Sequence, residues 1–442
     1  MKHQNKLNAG LFSFIKPALS LLAAFALLAL TACGGGGGGG VADTGDGSGN
    51  GGDDAPTVDE TPFLKLSNFQ AASVVIGQAD FAGLAPNQGG TVDANTIYAP
   101  IGNPGVANGI LYLPDTSNHR LLGFNSIPTA NNASADFVLG QTDFTTRSSG
   151  FTNLKFDFPH SVAFGSGKMF LADNENNRVL IWNNIPASGN IAADVVLGGS
   201  GCDNTGLDLP ESVWVVNGKL IVADELNNRV LIWNSIPTEN NAPADIVLGQ
   251  NSFTRCRKND DTQDGSADST PSARTLFTPS AVWSDGTRLV VVDDANNRVL
   301  IWNNFPTANF TPADVVLGQS NFTNNTYDDD NQDGSPGTPS ARTLDRPTAV
   351  YSNGQQLFVG DTSNNRVLVW NSFPTASFTP ADVVLGQGDF TQSTANDLDQ
   401  DGTEDGQASA QTLHAPSGIF QSGNQLIIAD SDNGRYLIFN GQ

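Results

Sequence analysis

A single spelling, repeated six times, constrains this chain more than anything else in it. Asp-x-x-Asn-x-Arg begins at Asp115, Asp173, Asp224, Asp293, Asp361 and Asp430. The copies stand roughly 50 to 70 residues apart. Around the clearest copy, Arg288-Leu289-Val290-Val291-Val292 leads into Asp293, Arg298-Val299-Leu300-Ile301-Trp302 leaves the turn, and Pro312-Ala313-Asp314-Val315-Val316-Leu317-Gly318-Gln319 follows. With the proline-led apolar stretch upstream, each unit reads as four short strands joined by three turns. A repeat of that length and content predicts a propeller blade. The run from Val299 to Trp302 is apolar at every position, which suits a strand covered on both faces, as stacked blades provide. In the turn, Asn296 and Asn297 suit the positive φ of a tight hairpin.

The fourth-strand spelling occurs at Ala72 to Gln78, Ala135 to Gln141, Ala193 to Gly199, Ala244 to Gln250, Ala313 to Gln319 and Ala381 to Gln387. Its first copy precedes every hairpin, and the last hairpin, from Asp430, has no fourth strand after it. The expectation is an all-β, six-bladed propeller over 63–442 in which the N-terminal strand completes the last blade. Such closure removes the unpaired edges of an open array.

The repeats also resemble the NHL family, whose units carry an Asp-x-x-Asn-x-Arg-Val hairpin behind a Leu-x-Val-Ala-Asp strand. Leu220-Ile221-Val222-Ala223-Asp224 through Arg229-Val230 matches that pattern, and the resemblance runs over about residues 70 to 442. It implies the propeller fold. It does not imply one activity, because the family includes RNA binders, a zinc-dependent lyase and many proteins of no assigned activity. The net charge of -24 speaks against nucleic acid as a partner, since displacing counterions from a phosphate backbone takes lysine and arginine.

Ahead of the repeats, Lys2, Lys6 and Lys16 precede an apolar run from Ala18 to Leu30, closed by Thr31-Ala32-Cys33. That reads as a signal segment over 1–32, too short for a permanent membrane span. Leu30-Thr31-Ala32-Cys33 resembles the lipobox of bacterial lipoproteins, which implies lipidation of Cys33, a membrane anchor and a place in the cell envelope. Gly34 after the cysteine would favour the outer membrane in a Gram-negative cell. An ordinary cleaved signal is the alternative. The Gly/Asp-rich stretch 33–62 cannot bury apolar surface and reads as a flexible tether, with a reach near 30 Å, roughly 5 to 6 Å times the square root of its length.

Three connections between blades are long: Asn251 to Leu276, Ser320 to Leu344 and Gly388 to Leu413. They lie on the same face as the Asp-x-x-Asn-x-Arg hairpins. Each carries alternating oxygen ligands ahead of a glycine: Asp260, Thr262 and Asp264; Asp329, Asn331 and Asp333; Asp397, Asp399 and Asp401 with Asp405 beyond. A calcium ion takes six to eight oxygens on such a loop. The spelling resembles the opening of an EF-hand or thrombospondin-type loop, but Pro271, Ser340 and Ala408 stand where the closing glutamate would be. Solvated Asx-rich turns are the alternative.

A second constellation follows the prolines that open each blade, Pro100, Pro159, Pro210, Pro279, Pro347 and Pro416. His160 and Glu211 come directly after two of them, and Asp157 and Asp208 two places before. These four form a candidate metal or acid/base set at the mouth of the central channel, against the alternative that they cap strands at a wet opening. The zinc lyases of the resembling family need several converging histidines, and apart from His3 this chain has only His119, His160 and His414. The repeated Asp and Arg of the hairpins read as a pairing across each turn of a half-buried guanidinium. Cys202 and Cys256 flank the third blade, but spacing alone does not establish a disulfide. The leading expectation is a lipid-anchored binding or scaffold module with calcium-ordered acidic loops and a protein or glycan partner. The runner-up is a metal-dependent lyase or lactone hydrolase at the channel mouth.

Overall fold

The structure is a computed structural model that describes residues 62–199 and 201–442. The expected signal segment, Cys33 and all of the tether but its last residue lie outside the described residues. The rest forms six antiparallel four-stranded sheets, each one repeat. Within a blade the strands run a, b, c, d outward, and the a strands of neighbouring blades pack on one another around the centre. Blade 3 is typical: Pro210–Val216, Lys219–Asp224, Arg229–Trp233 and Ile246–Leu248. The chain is therefore an all-β six-bladed propeller.

Closure follows the offset in the repeat. Val74–Ile76 is strand d of blade 6, pairing Val74 with Ile438 and Ile76 with Tyr436. The segment before it also seals a seam. The middle residue of an outermost strand would face solvent with its N–H and C=O unpaired, and a turn from the next blade takes up both. Val247 donates to Asn309 Oδ1 and accepts from Phe310 N–H; Val316 does the same with Ser377 and Phe378. On blade 5, Val384 finds its partners in Asn68 and Phe69, from the N-terminal end of the chain. Edges that invite wrong pairing are thereby covered.

The b and c strands are buried at almost every position, as expected of blades covered on both faces. The turn between them differs from a two-residue hairpin. Asp294–Asn296 forms one turn of 3-10 helix, and Asn297 alone takes the left-handed conformation at φ 53. Asn296 is fully buried and turns its amide back onto Asp293 at 2.8 Å. Two asparagines in sequence thus do different work, one as a donor and one as a left-handed hinge.

The hairpins between b and c and the connections from d to the next a lie on one face, here the top. The chain enters the propeller on the other face. Leu64 exchanges backbone bonds with the Gln356 amide, and the Pro62 carbonyl accepts from Asn353 and Gln421.

Candidate functional site

The hairpin aspartates and arginines are structural. All six arginine Nε atoms lie 2.6 to 2.7 Å from their aspartate Oδ2. The pairs are almost fully buried, not half-buried as the sequence suggested. The guanidinium of Arg229 uses its remaining N–H groups on the carbonyls of Phe253, Asp203 and Gly206, thereby holding the connections on either side of its blade. The other oxygen of Asp224 accepts the N–H of Asp208 at 2.7 Å, and the corresponding bond recurs in every blade. With every donor and acceptor matched, a buried ion pair of this kind is tolerable.

The three acidic loops share one backbone form. The leading aspartate is buried and accepts two backbone N–H groups: Asp260 from Asp264 and Gly265, Asp329 from Asp333 and Gly334, Asp397 from Asp401 and Gly402. They part company in their side chains. In the third loop, oxygens of Asp397, Asp399 and Asp405 lie within 4.8 Å of one another, the sole such group among the described residues. Asp401 is not in it; its Oδ1 accepts the Thr403 N–H at 2.8 Å. Thr262 replaces Asp399 in the first loop and Gly337 replaces Asp405 in the second, so Asp260, Asp264, Asp329, Asn331 and Asp333 form no comparable cluster. Those two loops also carry a cation, Arg274 on Asp261 and Arg342 on Asp330. The third has Leu398 and Gln411 instead and keeps its negative charge. The Asp399 carboxyl accepts an N–H bond from Asp401 that holds its pKa down, but the carboxylates of Asp401, Asp405 and Asp397 outweigh it and push the group up.

At the channel mouth His160 Nδ1 lies 2.8 Å from Glu211 Oε2, which also accepts from Asn174 Nδ2 at 3.0 Å. Asp157 does not join them; its carboxylate faces His119 Nδ1 at 3.2 Å. His414 meets Asp432 at 3.3 Å. The three histidines therefore stand beside different carboxylates and do not converge. Burial raises the pKa of Asp208, whose charge adds to the field at Glu225. Two carboxylates not singled out from sequence complete the set. Asp294, bound by Arg346 at 2.8 Å, is pushed up to about 6 by burial, which the guanidinium only partly offsets. The Glu225 carboxyl is held well above its usual range by burial, then by Glu211 and Asp294. Both stand directly after a hairpin aspartate, where the other blades have Thr116, Asn174, Thr362 and Ser431. Aligning the six copies by that aspartate would have exposed them.

Lower in the channel, Trp214 of blade 3 meets Tyr351 of blade 5 at 6.2 Å between ring centroids, and Tyr351 meets Phe420 of blade 6 at 5.2 Å. Asn103 donates across to the Val350 carbonyl. These groups fill the channel below the mouth.

The fold and its decorated top rim define a six-bladed propeller. No family model matches the chain and no curated protein matches it. Among solved structures it is similar to virginiamycin B lyase from Staphylococcus aureus, at 12% identity over 79% of this chain and 97% of that one, TM-score 0.40. It is also similar to an auxiliary nutrient binding protein from Bacteroides thetaiotaomicron, at 12% identity over 82% and 76%, TM-score 0.45. The WD40 propeller domain of Doa1 gives 10% identity over 84% and 97%, TM-score 0.42. At these values none of their activities passes to this chain.

Proposed function

We propose that this chain is a lipoprotein of the bacterial cell envelope, anchored at Cys33, whose NHL-like propeller is a binding module for a protein or glycan. Its top face is ordered by calcium at the third acidic loop. The observation that carries the calcium reading is the convergence of Asp397, Asp399 and Asp405 with no arginine to neutralise them. Carboxylates this close repel until a divalent cation joins them. The described chain reaches the propeller on its bottom face, at Pro62 and Leu64, opposite the acidic loops.

Without a closing glutamate the affinity falls in the range of extracellular modules, on the order of 10⁻⁴ to 10⁻³ M. Calcium at a hundredfold above its Kd should then stabilise the fold by about 2.7 kcal/mol if loop order is coupled to the blade. The test is the melting temperature and the protease sensitivity of 388–413 with and without calcium. D399N and D405N should each abolish most of the response, whereas D401N, outside the cluster, should reduce it less. No response at about 10 mM calcium, above that whole affinity range, would reduce the acidic loops to solvated spacers.

The His160–Glu211 contact favours a second reading, acid/base chemistry on a lactone or a related substrate at the mouth. Turnover across a lactone panel that H160A eliminates would support it.

A further inference from the structure

The six blades form an internal control for the channel mouth. At five of the six seams a side-chain donor near the centre closes onto the next blade's proline carbonyl. Thr116 donates to Pro159, Asn174 to Pro210, Ser280 to Pro347, Thr362 to Pro416 and Ser417 to Pro100. At the seam between blades 3 and 4 the two available positions are Glu211 and Glu225, and neither carboxylate donates to Pro279. A threonine at position 225 would restore the bond that the other seams make. The repeat has given up a structural contact there and gathered negative charge instead, a breach of the local rule of the sort expected at a functional site.

A second observation points the same way. Asp294 is only 4% exposed, and while its Oδ2 binds Arg346, its Oδ1 is buried with no partner. It is electrostatically coupled to Glu211, as is Glu225. The Glu225 carboxyl has no hydrogen-bond or ion-pair partner among the described residues, and the residue is partly exposed. An unmatched buried oxygen beside an unpartnered carboxylate asks for a donor.

Distance decides which donor. Two oxygens on one calcium ion, each at about 2.4 Å, stand no more than about 4.8 Å apart. No three groups at the mouth meet that limit, whereas those of the third loop do. An ammonium or guanidinium is not bound by that limit, because it donates along separate N–H bonds of about 2.8 Å each. Arg346, itself half-exposed, already shows a guanidinium seated on one edge of the cluster.

We propose that the channel mouth, between Glu211, Glu225 and the free oxygen of Asp294, is a binding site for an organic cation, an alkylammonium or guanidinium group, that competes with Arg346 for the cluster. This site is separate from the third loop and does not rest on the calcium reading.

Isothermal titration of the full chain in calcium-free, low-salt buffer, with agmatine and with spermidine, tests it. Saturable binding is expected, weakened at least tenfold by E225Q and by D294N, tightened several-fold by R346A, and unchanged by D399N. Each variant's melting temperature, taken alongside, shows that a lost signal is not lost fold, and R346A gives a gain that unfolding cannot mimic. Binding of a lysine-containing peptide but of neither free amine would support the same chemistry with a protein as its source. No binding of any probe to wild type or R346A would overturn the proposal. So would binding that E225Q and D294N leave intact, or that D399N abolishes.

Discussion

Asp328 is a carboxylate where its counterparts are amides. In blades 1, 4 and 6 a buried asparagine in the left-handed conformation exchanges reciprocal side-chain bonds with the hairpin asparagine: Asn87 with Asn118, Asn259 with Asn296, Asn396 with Asn433. At the blade 5 copy, Asn364 can only donate to Asp328 Oδ1, and no bond returns. Burial raises the Asp328 pKa to about 6, and nearby Asp361 adds to the shift. The fold therefore holds a proton more tightly than the unfolded chain. Its stability rises as pH falls from about 6 to the unfolded value near 4, and the penalty is complete above that window. Replacing Asp328 by Asn should stabilise the protein by on the order of 2 kcal/mol at pH 7, read from the shift of about two pKa units, and by nothing below about pH 4. Denaturant unfolding of the two proteins at both pH values is the check; a gain that does not depend on pH would point to packing instead. His119 shows the converse. It takes the place of the left-handed hinge Asn297 in the blade 1 hairpin, accepting the Phe158 N–H on Nδ1 at 3.2 Å, and burial lowers its pKa. What the sequence displays at this scale is residue identity at repeat positions. It does not display which copy is the exception, because that depends on what each neighbour can donate.

At the scale of the element, connections are held by a small set of repeated ties. A glutamine at the end of strand d, as in Gln250, donates to the left-handed residue's carbonyl at 3.1 Å and to a carbonyl seven residues on at 2.8 Å. Blade 2 has Gly199 there and so lacks the tie. That connection is the one joined by a disulfide, Cys202 to Cys256, across 54 residues of chain. Both cysteines were legible in the sequence as flankers of blade 3, but only the fold shows that they oppose each other around one hairpin and compensate for a missing amide. In the chain-entropy view, a loop of this length gives the crosslink a value of about 4 kcal/mol, acting on the unfolded state. Reduction, or the C202S/C256S double variant, should lower the melting temperature and render 201–207 sensitive to protease before the equivalent stretch of any other blade. Uniform loosening of all six connections would show that the tie is not local. The acidic loops were legible only in part for a similar reason. Their shared spelling concealed Gly337 and the two arginines, which decide whether the charges converge or are neutralised.

At the scale of the whole molecule, the ring closes through nine residues far from the rest of blade 6 in sequence. The blade count was readable because the fourth-strand spelling is displaced by one unit from the hairpins. The seam that Asn68 and Phe69 make with Val384 was not, because it consists of backbone bonds to a turn without a fixed spelling. Deleting residues 70–78 removes Ala72, Val74, Val75 and Ile76 from the core, where all four are buried. Burial of an aliphatic side chain of the valine or isoleucine size is worth about 1.5 to 3 kcal/mol. Three such residues, an opened strand edge and the lost Gln78 bond to the Asn433 carbonyl then sum to a large part of a typical 5 to 15 kcal/mol of total stability. Deleting 34–60, the expected tether, removes no described contact. The first deletion should therefore lower the melting temperature by tens of degrees, or leave a protein that does not fold, and the second should leave it unchanged. In hydrogen exchange the first protein, where it folds, should lose protection first at Arg435–Asn440, the strand left with an open edge, and next at the seams that flank blade 6. A closed ring spreads that loss to blades 1 and 5, because both pack on the damaged sheet, whereas an open array would confine it to one end. Equal melting temperatures for the two deletions would mean that the ring does not depend on its N-terminal strand.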